Sequence, residues 1–203
     1  IAADAGTYQY NAPLPWDNAL AGAKVHNTLT IDSQDQMTRG GRFLWLDWAQ
    51  AKILKREFRE DGQLITVSAE HDGYKKLGVT HQRSLSVLEN GWKVTDLVLP
   101  LQGAKVQSHN VNLVWLLPGW EWSFDSSDTL LFSGPKFRFT VKITGVDQFH
   151  LIREGQRVFG SITALPTWGW YSPTYLVKKP ALTLVCTKNG ELPIEIMTTL
   201  NVH

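Results

Sequence analysis

The chain has 203 residues, of which 43 % are hydrophobic and 19 % are charged, so it can bury a sizeable core and is not a disordered polypeptide. Lys and Arg number 20 against 19 Asp and Glu, so the net charge is too small to attract nucleic acid or an anionic membrane to the protein as a whole. An anionic partner would have to be bound by a local basic patch. No window approaches the roughly 20 apolar residues that cross a bilayer.

Alternation of apolar and polar residues recurs along the chain, punctuated by Gly, Pro, Asn and Asp, whereas helical periodicity is scarce. This pattern predicts an all-β fold, a large antiparallel two-sheet β-sandwich. Sandwiches of this length commonly form one unit, so we expect a single domain over residues 1–203. The predicted strands, in chain order, are 24–32, 42–48, 51–59, 63–71, 79–88, 92–99, 106–116, 129–132, 136–144, 147–153, 174–177, 181–187 and 192–201.

Turn signals connect several of these predicted strands. Residues 51–60 are rich in helix formers, so a helix competes there with a strand. Because Asp61-Gly62 follows and β-branched alternation resumes at 64–67, we predict a hairpin across Asp61-Gly62. Asn90-Gly91 and Asn189-Gly190 also lie between apolar runs, and both residue types accept positive φ. Two further hairpins are predicted at these positions.

Nine Trp residues are an unusual number for this length. Most are expected between packed sheets, where the indole N–H finds a partner. Four Trp residues lie near Pro or Gly in loop-like sequence, which leaves open whether their rings are exposed or buried: Trp120, Trp122, Trp168 and Trp170. An exposed ring can stack on the apolar face of a sugar. Trp168 and Trp170 are therefore candidate substrate-binding residues.

Five motifs together point to a known family. They are DAGTYQYN at 4–11, KVHNTLTID at 24–32, QDQ at 34–36, GWYSPTY at 169–175 and LP at 192–193. These motifs resemble the C-terminal β-domain of the heparinase II/III family of polysaccharide lyases, over nearly the whole chain. The resemblance implies a domain of a longer lyase whose helical toroid is absent. The start at Ile1, without Met or a leader, also suggests a longer precursor, for which a periplasmic or secreted location would fit.

The resemblance implies β-elimination of a uronate-containing acidic polysaccharide, such as a glycosaminoglycan or alginate. In this reaction a base removes the proton at C5, the neighbouring carboxylate is neutralised, and an acid protonates the departing O4. In the family, the helical domain supplies most of these groups and a His of the β-domain completes the site. His26 is the matching residue here, the N-terminal helical domain of the same parent chain is the implied partner, and the isolated domain is expected to be inactive.

A metal site is also implied by the resemblance. Sister families carry a His-x-His pair on the strand that matches 24–32, with one His in the active site and one on a metal ion, usually a structural zinc ion. The resemblance places the ligands at His26, Asp47 and His71, with Asp32 or Asp35 as replacements for Asp47. Two imidazoles and one carboxylate leave tetrahedral zinc one open position. The competing interpretation is that these His side chains are hydrogen-bonded within the fold.

Lys24 stands where the sister families have the first His of His-x-His. Alternation along a strand would place Lys24 and His26 on one face, where Lys24 could meet a uronate carboxylate or could simply be a solvated cation. Asn27, next to His26, is the remaining candidate for substrate binding. The functional alternative to the lyase domain is a non-catalytic carbohydrate-binding or scaffold β-sandwich, in which the His residues are incidental.

Overall fold

A computed structural model describes residues 1–105 and 107–203, and within them the chain is almost entirely β. The strands form an eight-stranded sheet, a six-stranded sheet and a two-stranded hairpin. Three short 3-10 helices cover Ala19–Ala21, Ala23–Val25 and Lys75–Leu77. The predicted all-β, antiparallel two-sheet class is confirmed. No helix in the described part of the chain has the length and apolar content needed to span a membrane.

The strand bounds follow the chain. They are β1 Leu29–Ile31, β2 Thr38–Arg39, β3 Trp45–Leu46, β4 Ala51–Phe58, β5 Leu64–His71, β6 Val79–Leu88, β7 Gly91–Pro100, β8 Ser108–Pro118, β9 Glu121–Ser126, β10 Thr129–Ser133, β11 Arg138–Thr144, β12 Gln148–Arg153, β13 Gln156–Phe159, β14 Trp170–Thr174, β15 Val177–Glu191 and β16 Ile194–Val202. The order in the larger sheet is β4-β5-β6-β7-β16-β11-β10-β9, and that in the smaller one is β1-β8-β15-β12-β13, with β14 paired to β15.

The chain divides into two compact units. The first unit comprises Ile1–Leu46, His109–Trp120 and Asp147–Asn189, and the second comprises Asp47–Ser108, Glu121–Val146 and Gly190–His203. The six-stranded sheet lies almost wholly in the first unit and the eight-stranded sheet in the second. The single domain over 1–203 stays a prediction.

The N-terminal segment of the first unit packs its apolar side chains onto the six-stranded sheet. Ala5, Leu20 and Val25 form one buried cluster with residues of β8, β12 and β15, among them Leu116 and Ile152. In β15 every residue from Ala181 to Cys186 is buried, which is the pattern of a strand covered on both faces. This packing fixes the segment 19–28, which carries the predicted site residues Lys24, His26 and Asn27.

Two of the three predicted hairpins are confirmed. β4 pairs with β5 across Asp61-Gly62, and Gly62 has φ +82°. β6 pairs with β7 across the Asn90 turn, with Leu88 opposite Gly91. A Cβ on Gly91 would lie 1.8 Å from the carbonyl oxygen of Leu200, so the close approach of β16 requires glycine there.

The third predicted hairpin, at Asn189-Gly190, is wrong. β15 continues through this pair to Glu191, and the next strand, β16, belongs to the other sheet. The carboxylate of Asp147 accepts the backbone N–H of Asn189 at 2.8 Å, and the side chain of Asn110 donates to the Asn189 Oδ1 at 2.8 Å. These long-range bonds hold Asn189 in the strand and override its local turn preference.

Three predicted strands are largely wrong. Within 24–32 only β1, Leu29–Ile31, is a strand, because residues 23–25 form a 3-10 helix. The backbone N–H of Ala23, at the start of this helix, donates to Asp35 Oδ1 at 2.7 Å. Over 42–48 only Trp45–Leu46 is extended, and 174–177 contains the turn between β14 and β15. The sequence does not predict β2, β9, β13 or most of β14. Strands β9 and β13 are edges of the two larger sheets. The four residues of β13 show no apolar alternation, whereas Trp122 and Phe124 alternate with polar residues in β9 and are a signal that the prediction missed.

Candidate functional site

His26 lies in the first unit, directly after the 3-10 helix Ala23–Val25, and its side chain is 31 % exposed. Its Nε2 is 2.9 Å from the carbonyl oxygen of Leu20, and its Nδ1 is 3.2 Å from Asp4 Oδ2. Carbonyl and carboxylate oxygens only accept, so both bonds are made together only when both ring nitrogens carry protons. The fold therefore surrounds His26 with the partners of an imidazolium.

His26 lines a cleft of about 250 Å³ together with Asp35, Gln36 and Trp45. Gln36 Nε2 donates to Thr28 Oγ1 at 3.1 Å, and the Asp35 carboxylate is held by the N–H of Ala23. A cleft with an imidazole, a carboxylate, an amide and an indole offers hydrogen-bonding groups and an apolar surface, which is what a sugar needs.

Two predicted substrate-binding residues, Lys24 and Trp168, line a second cleft of about 200 Å³ with Asn112. The Trp168 ring is only 7 % exposed, and its Nε1 donates to the carbonyl oxygen of Lys24 at 2.6 Å. Because Lys24 is on the 3-10 helix, the expected strand alternation of Lys24 and His26 on one face is wrong. Lys24 is instead the middle residue of the 3-10 helix and His26 is its C-cap, and each lines a cleft of its own.

Asn27 is bonded to backbone groups at both ends of its side-chain amide. Its Oδ1 accepts the N–H of Leu116 at 2.7 Å, and its Nδ2 donates to the carbonyl oxygen of Ala3 at 2.8 Å. The amide thereby joins β8 to the N-terminal segment that carries Asp4. In this structure Asn27 fixes the backbone on which His26 stands.

Trp170, the fourth predicted substrate-binding residue, is half-buried and stacks with a lysine. The Lys178 Nζ lies 4.2 Å from the Trp170 ring centroid and 3.7 Å from that of Trp16, with Tyr8 at 5.5 Å. Burial lowers the pKa of Lys178, and the cation–π contacts favour its charged form. One face of the Trp170 ring is thus covered by the protein's own cation.

The profile described as heparinase II/III-like, C-terminal, matches residues 1–195. The chain belongs to this family. The fold agrees with solved structures that it resembles: a heparinase III with methylated lysines, at 18 % identity and a TM-score of 0.70, and a mutant of the heparan sulfate lyase HepC from Pedobacter heparinus, at 17 % identity and a TM-score of 0.69. No curated protein sequence matches.

The chain spans only part of these similar proteins. The alignments cover 98 % of this chain, but 27 % of the heparinase III chain and 28 % of the HepC chain. A third structure, another heparinase III, matches at 13 % identity with a TM-score of 0.59 over 99 % of this chain and 27 % of its own. At these identities the likeness shows the fold, and the profile match shows the family.

The heparinase II/III-like domain places the three predicted zinc ligands in different units. His26 lies in the first unit, whereas Asp47 and His71 lie in the second. Asp47 forms an ion pair with Lys76. Within the ranges 1–105 and 107–203, no three His, Cys, Asp or Glu side chains form a group that could hold a metal ion. Zinc at His26, Asp47 and His71 stays a prediction.

The two replacement ligands also have protein partners. Asp32 Oδ2 is 2.8 Å from Nδ1 of the buried His109, and Asp32 Oδ1 accepts the N–H of Asn110 at 2.9 Å. Asp35 accepts the N–H of Ala23. Asp35 thus fixes a turn that lines the His26 cleft, whereas Asp32 ties the end of β1 to β8. No local sequence pattern indicates the pairing of Asp32 with His109, 77 residues away.

His71 belongs to a chain of polar side chains in the second unit that the sequence did not reveal. Its Nδ1 accepts the N–H of Gly73 at 3.1 Å, so the proton is on Nε2, which lies 3.0 Å from His81 Nδ1. His81 Nε2 is 2.7 Å from Asp96 Oδ1, and Arg83 donates to both Asp96 oxygens at 2.7 and 3.0 Å. Burial opposes ionisation of Asp96, but the bonds from His81 and Arg83 outweigh it and lower its pKa.

The pKa of His71 makes the stability of this heparinase II/III-like domain depend on pH. Burial, with the nearby charges of His81 and Arg83, holds the pKa of His71 at about 4, against its ordinary value of 6.5, although Asp72 acts in the opposite direction. The unfolded chain therefore binds a proton at higher pH than the folded one. We expect the contribution of His71 to the free energy of unfolding to be complete above pH 6.5 and to be lost as the pH falls towards 4. The loss should be roughly 2 kcal/mol, because solvent screens the charge of a half-buried group.

Urea unfolding between pH 7 and pH 4, compared for the wild type and His71→Gln, tests this expectation. The difference in unfolding free energy between the two proteins should shrink as the pH falls, because the glutamine does not titrate. Parallel pH profiles would show that His71 does not titrate in this window.

Proposed function

We propose that this domain contributes His26 to a composite active site that cleaves a uronate-containing acidic polysaccharide by β-elimination. The N-terminal helical domain of the same parent chain would supply the other catalytic groups. The observation that carries the proposal is the placement of His26: partly exposed, with acceptors at both ring nitrogens, in a cleft with Asp35, Gln36 and Trp45.

In this proposal His26 acts as a proton donor or as a positive charge. Elimination leaves negative charge on the uronate carboxylate next to C5 and on the departing O4. An imidazolium can donate its Nε2 proton to O4, or can stabilise the carboxylate, once the sugar replaces the Leu20 carbonyl as partner. Asp4, at 3.2 Å from Nδ1, accepts a hydrogen bond from the ring and holds the ring in place.

The similar structures support a glycosaminoglycan as the substrate class. Their names, heparinase III and heparan sulfate lyase, favour a heparan sulfate type of polymer over alginate. The alternative of a non-catalytic module that grips sugar with loop Trp residues has less support. Trp168 is buried, and Lys178 covers one face of Trp170.

The isolated chain should show no measurable elimination on heparin, heparan sulfate, hyaluronan or alginate. A composite site without its base loses most of its transition-state stabilisation, often several orders of magnitude in rate. Ultraviolet absorbance of the unsaturated uronate product measures the reaction, and the full-length enzyme in the same assay is the positive control. Unsaturated product formed by the purified 203-residue chain would contradict the composite site.

A further inference from the structure

In the first unit, one exposed aromatic side chain contacts two others. Tyr10, Phe43 and Tyr175 are 40 %, 67 % and 46 % exposed. The ring centroid of Tyr10 lies 5.1 Å from that of Phe43 and 5.3 Å from that of Tyr175. We call these three residues the aromatic cluster. Grouped apolar surface left in water is unfavourable, and such patches often mark binding sites.

Phe43 of the aromatic cluster lies on the tip of the β2–β3 hairpin, and hydrogen bonds to neighbouring segments hold this tip in place. The guanidinium of Arg42 donates through Nε to Asp17 Oδ1 at 2.7 Å and through Nη1 to the side chain of Asn11. The side chain of Asn18 donates to the carbonyl oxygen of Arg42 at 2.8 Å. Because the tip is already ordered, a ligand that binds it loses little affinity to loop ordering.

The same hairpin lines the His26 cleft. Met37 precedes the tip and Trp45 follows it, and both line the cleft with His26. Two residues of extended chain span at most about 7 Å, so Phe43 stands within about one sugar unit of Trp45. A polymer whose reacting unit lies in the cleft can therefore reach the aromatic cluster with a neighbouring unit.

We propose that the aromatic cluster and Arg42 form a saccharide subsite, which binds an acidic sugar unit next to the one in the His26 cleft. This inference rests on the proposed function. The negative faces of aromatic rings attract the C–H groups of a sugar ring. The Arg42 side chain is 41 % exposed. With the N–H of Nε on Asp17 and one N–H of Nη1 on Asn11, three of the five guanidinium N–H groups remain for a carboxylate or sulfate group. Aromatic rings beside a fixed cation therefore favour an acidic saccharide as the ligand over an apolar surface of a partner protein.

Phe43→Ala in the full-length enzyme tests the subsite. We expect KM for a polymeric acidic substrate to rise about five- to tenfold while kcat stays within about twofold, because the subsite binds substrate and transition state equally. The rise should shrink on the shortest oligosaccharide that the enzyme cleaves, which does not reach the aromatic cluster. Phe58→Ala is the matched control, since Phe58 is 56 % exposed on β4 of the second unit, and its KM should match the wild type.

Two results would overturn the subsite. One is a KM for Phe43→Ala that equals that of Phe58→Ala on the polymer. The other is a lower melting temperature together with a lower kcat in Phe43→Ala alone, which would show that the cluster packs against another domain. A wild-type enzyme that cleaves no acidic polysaccharide is a separate result, because it refutes the proposed function itself and the subsite with it.

Discussion

His26→Ala in the full-length enzyme should lower kcat on its acidic polysaccharide by roughly a hundredfold or more, the usual contribution of a general acid or base. The reason is the loss of the one side chain of the cleft that the fold equips with acceptors at both ring nitrogens. Steady-state rates measured beside thermal melts test this. His203→Ala is the matched control, because His203 is exposed and its ring contacts Thr140, far from the His26 cleft in the sequence and in the second unit.

The melts separate catalysis from a structural role for His26. If the residue only ties Leu20 to Asp4 or holds a metal ion, His26→Ala should lower the melting temperature and leave turnover of the folded enzyme nearly intact. Asp4→Asn keeps a hydrogen-bond acceptor but removes the charge, so it should lower kcat less than His26→Ala does. Wild-type rates and wild-type melting in His26→Ala would reject any role for this residue.

Asp96→Asn should destabilise the domain more than any surface substitution, by about 3–5 kcal/mol, the usual effect of removing one partner of a buried ion pair. Asp96 is completely buried between Arg83 and His81, so the change leaves a cation and an imidazole without a counter-charge. For a protein of this length the loss corresponds to a fall in melting temperature of roughly 10 °C.

Glu57→Gln is the matched control for Asp96→Asn. Glu57 pairs with Lys55 on the exposed strand β4 of the same sheet, and exposed pairs contribute little. Its melting temperature should equal that of the wild type. Equal melting temperatures for both variants, measured by differential scanning calorimetry, would show that Asp96 is not an anchor of the second unit.

The sequence by itself determined the β class, most long strands and two turns. The predicted strand 79–88 coincides with Val79–Leu88, and 51–59 with Ala51–Phe58. The family resemblance, drawn from the motifs around Asp4, His26 and Trp170, agrees with the profile match over 1–195. These features are local: strand alternation, Asp-Gly and Asn-Gly turn chemistry, and short motifs are all written within a few neighbouring residues.

Only the tertiary structure decided the partners of the site residues. The Ala23 N–H bond to Asp35 turned the predicted strand before His26 into a 3-10 helix, and Asp147 kept Asn189 in a strand where the local sequence predicts a turn. The pairs His26–Asp4 and His81–Asp96 join residues 22 and 15 positions apart. These pairs form only when folding brings distant segments together, and a side-chain hydrogen bond made there can outweigh a local preference of less than about 1 kcal/mol.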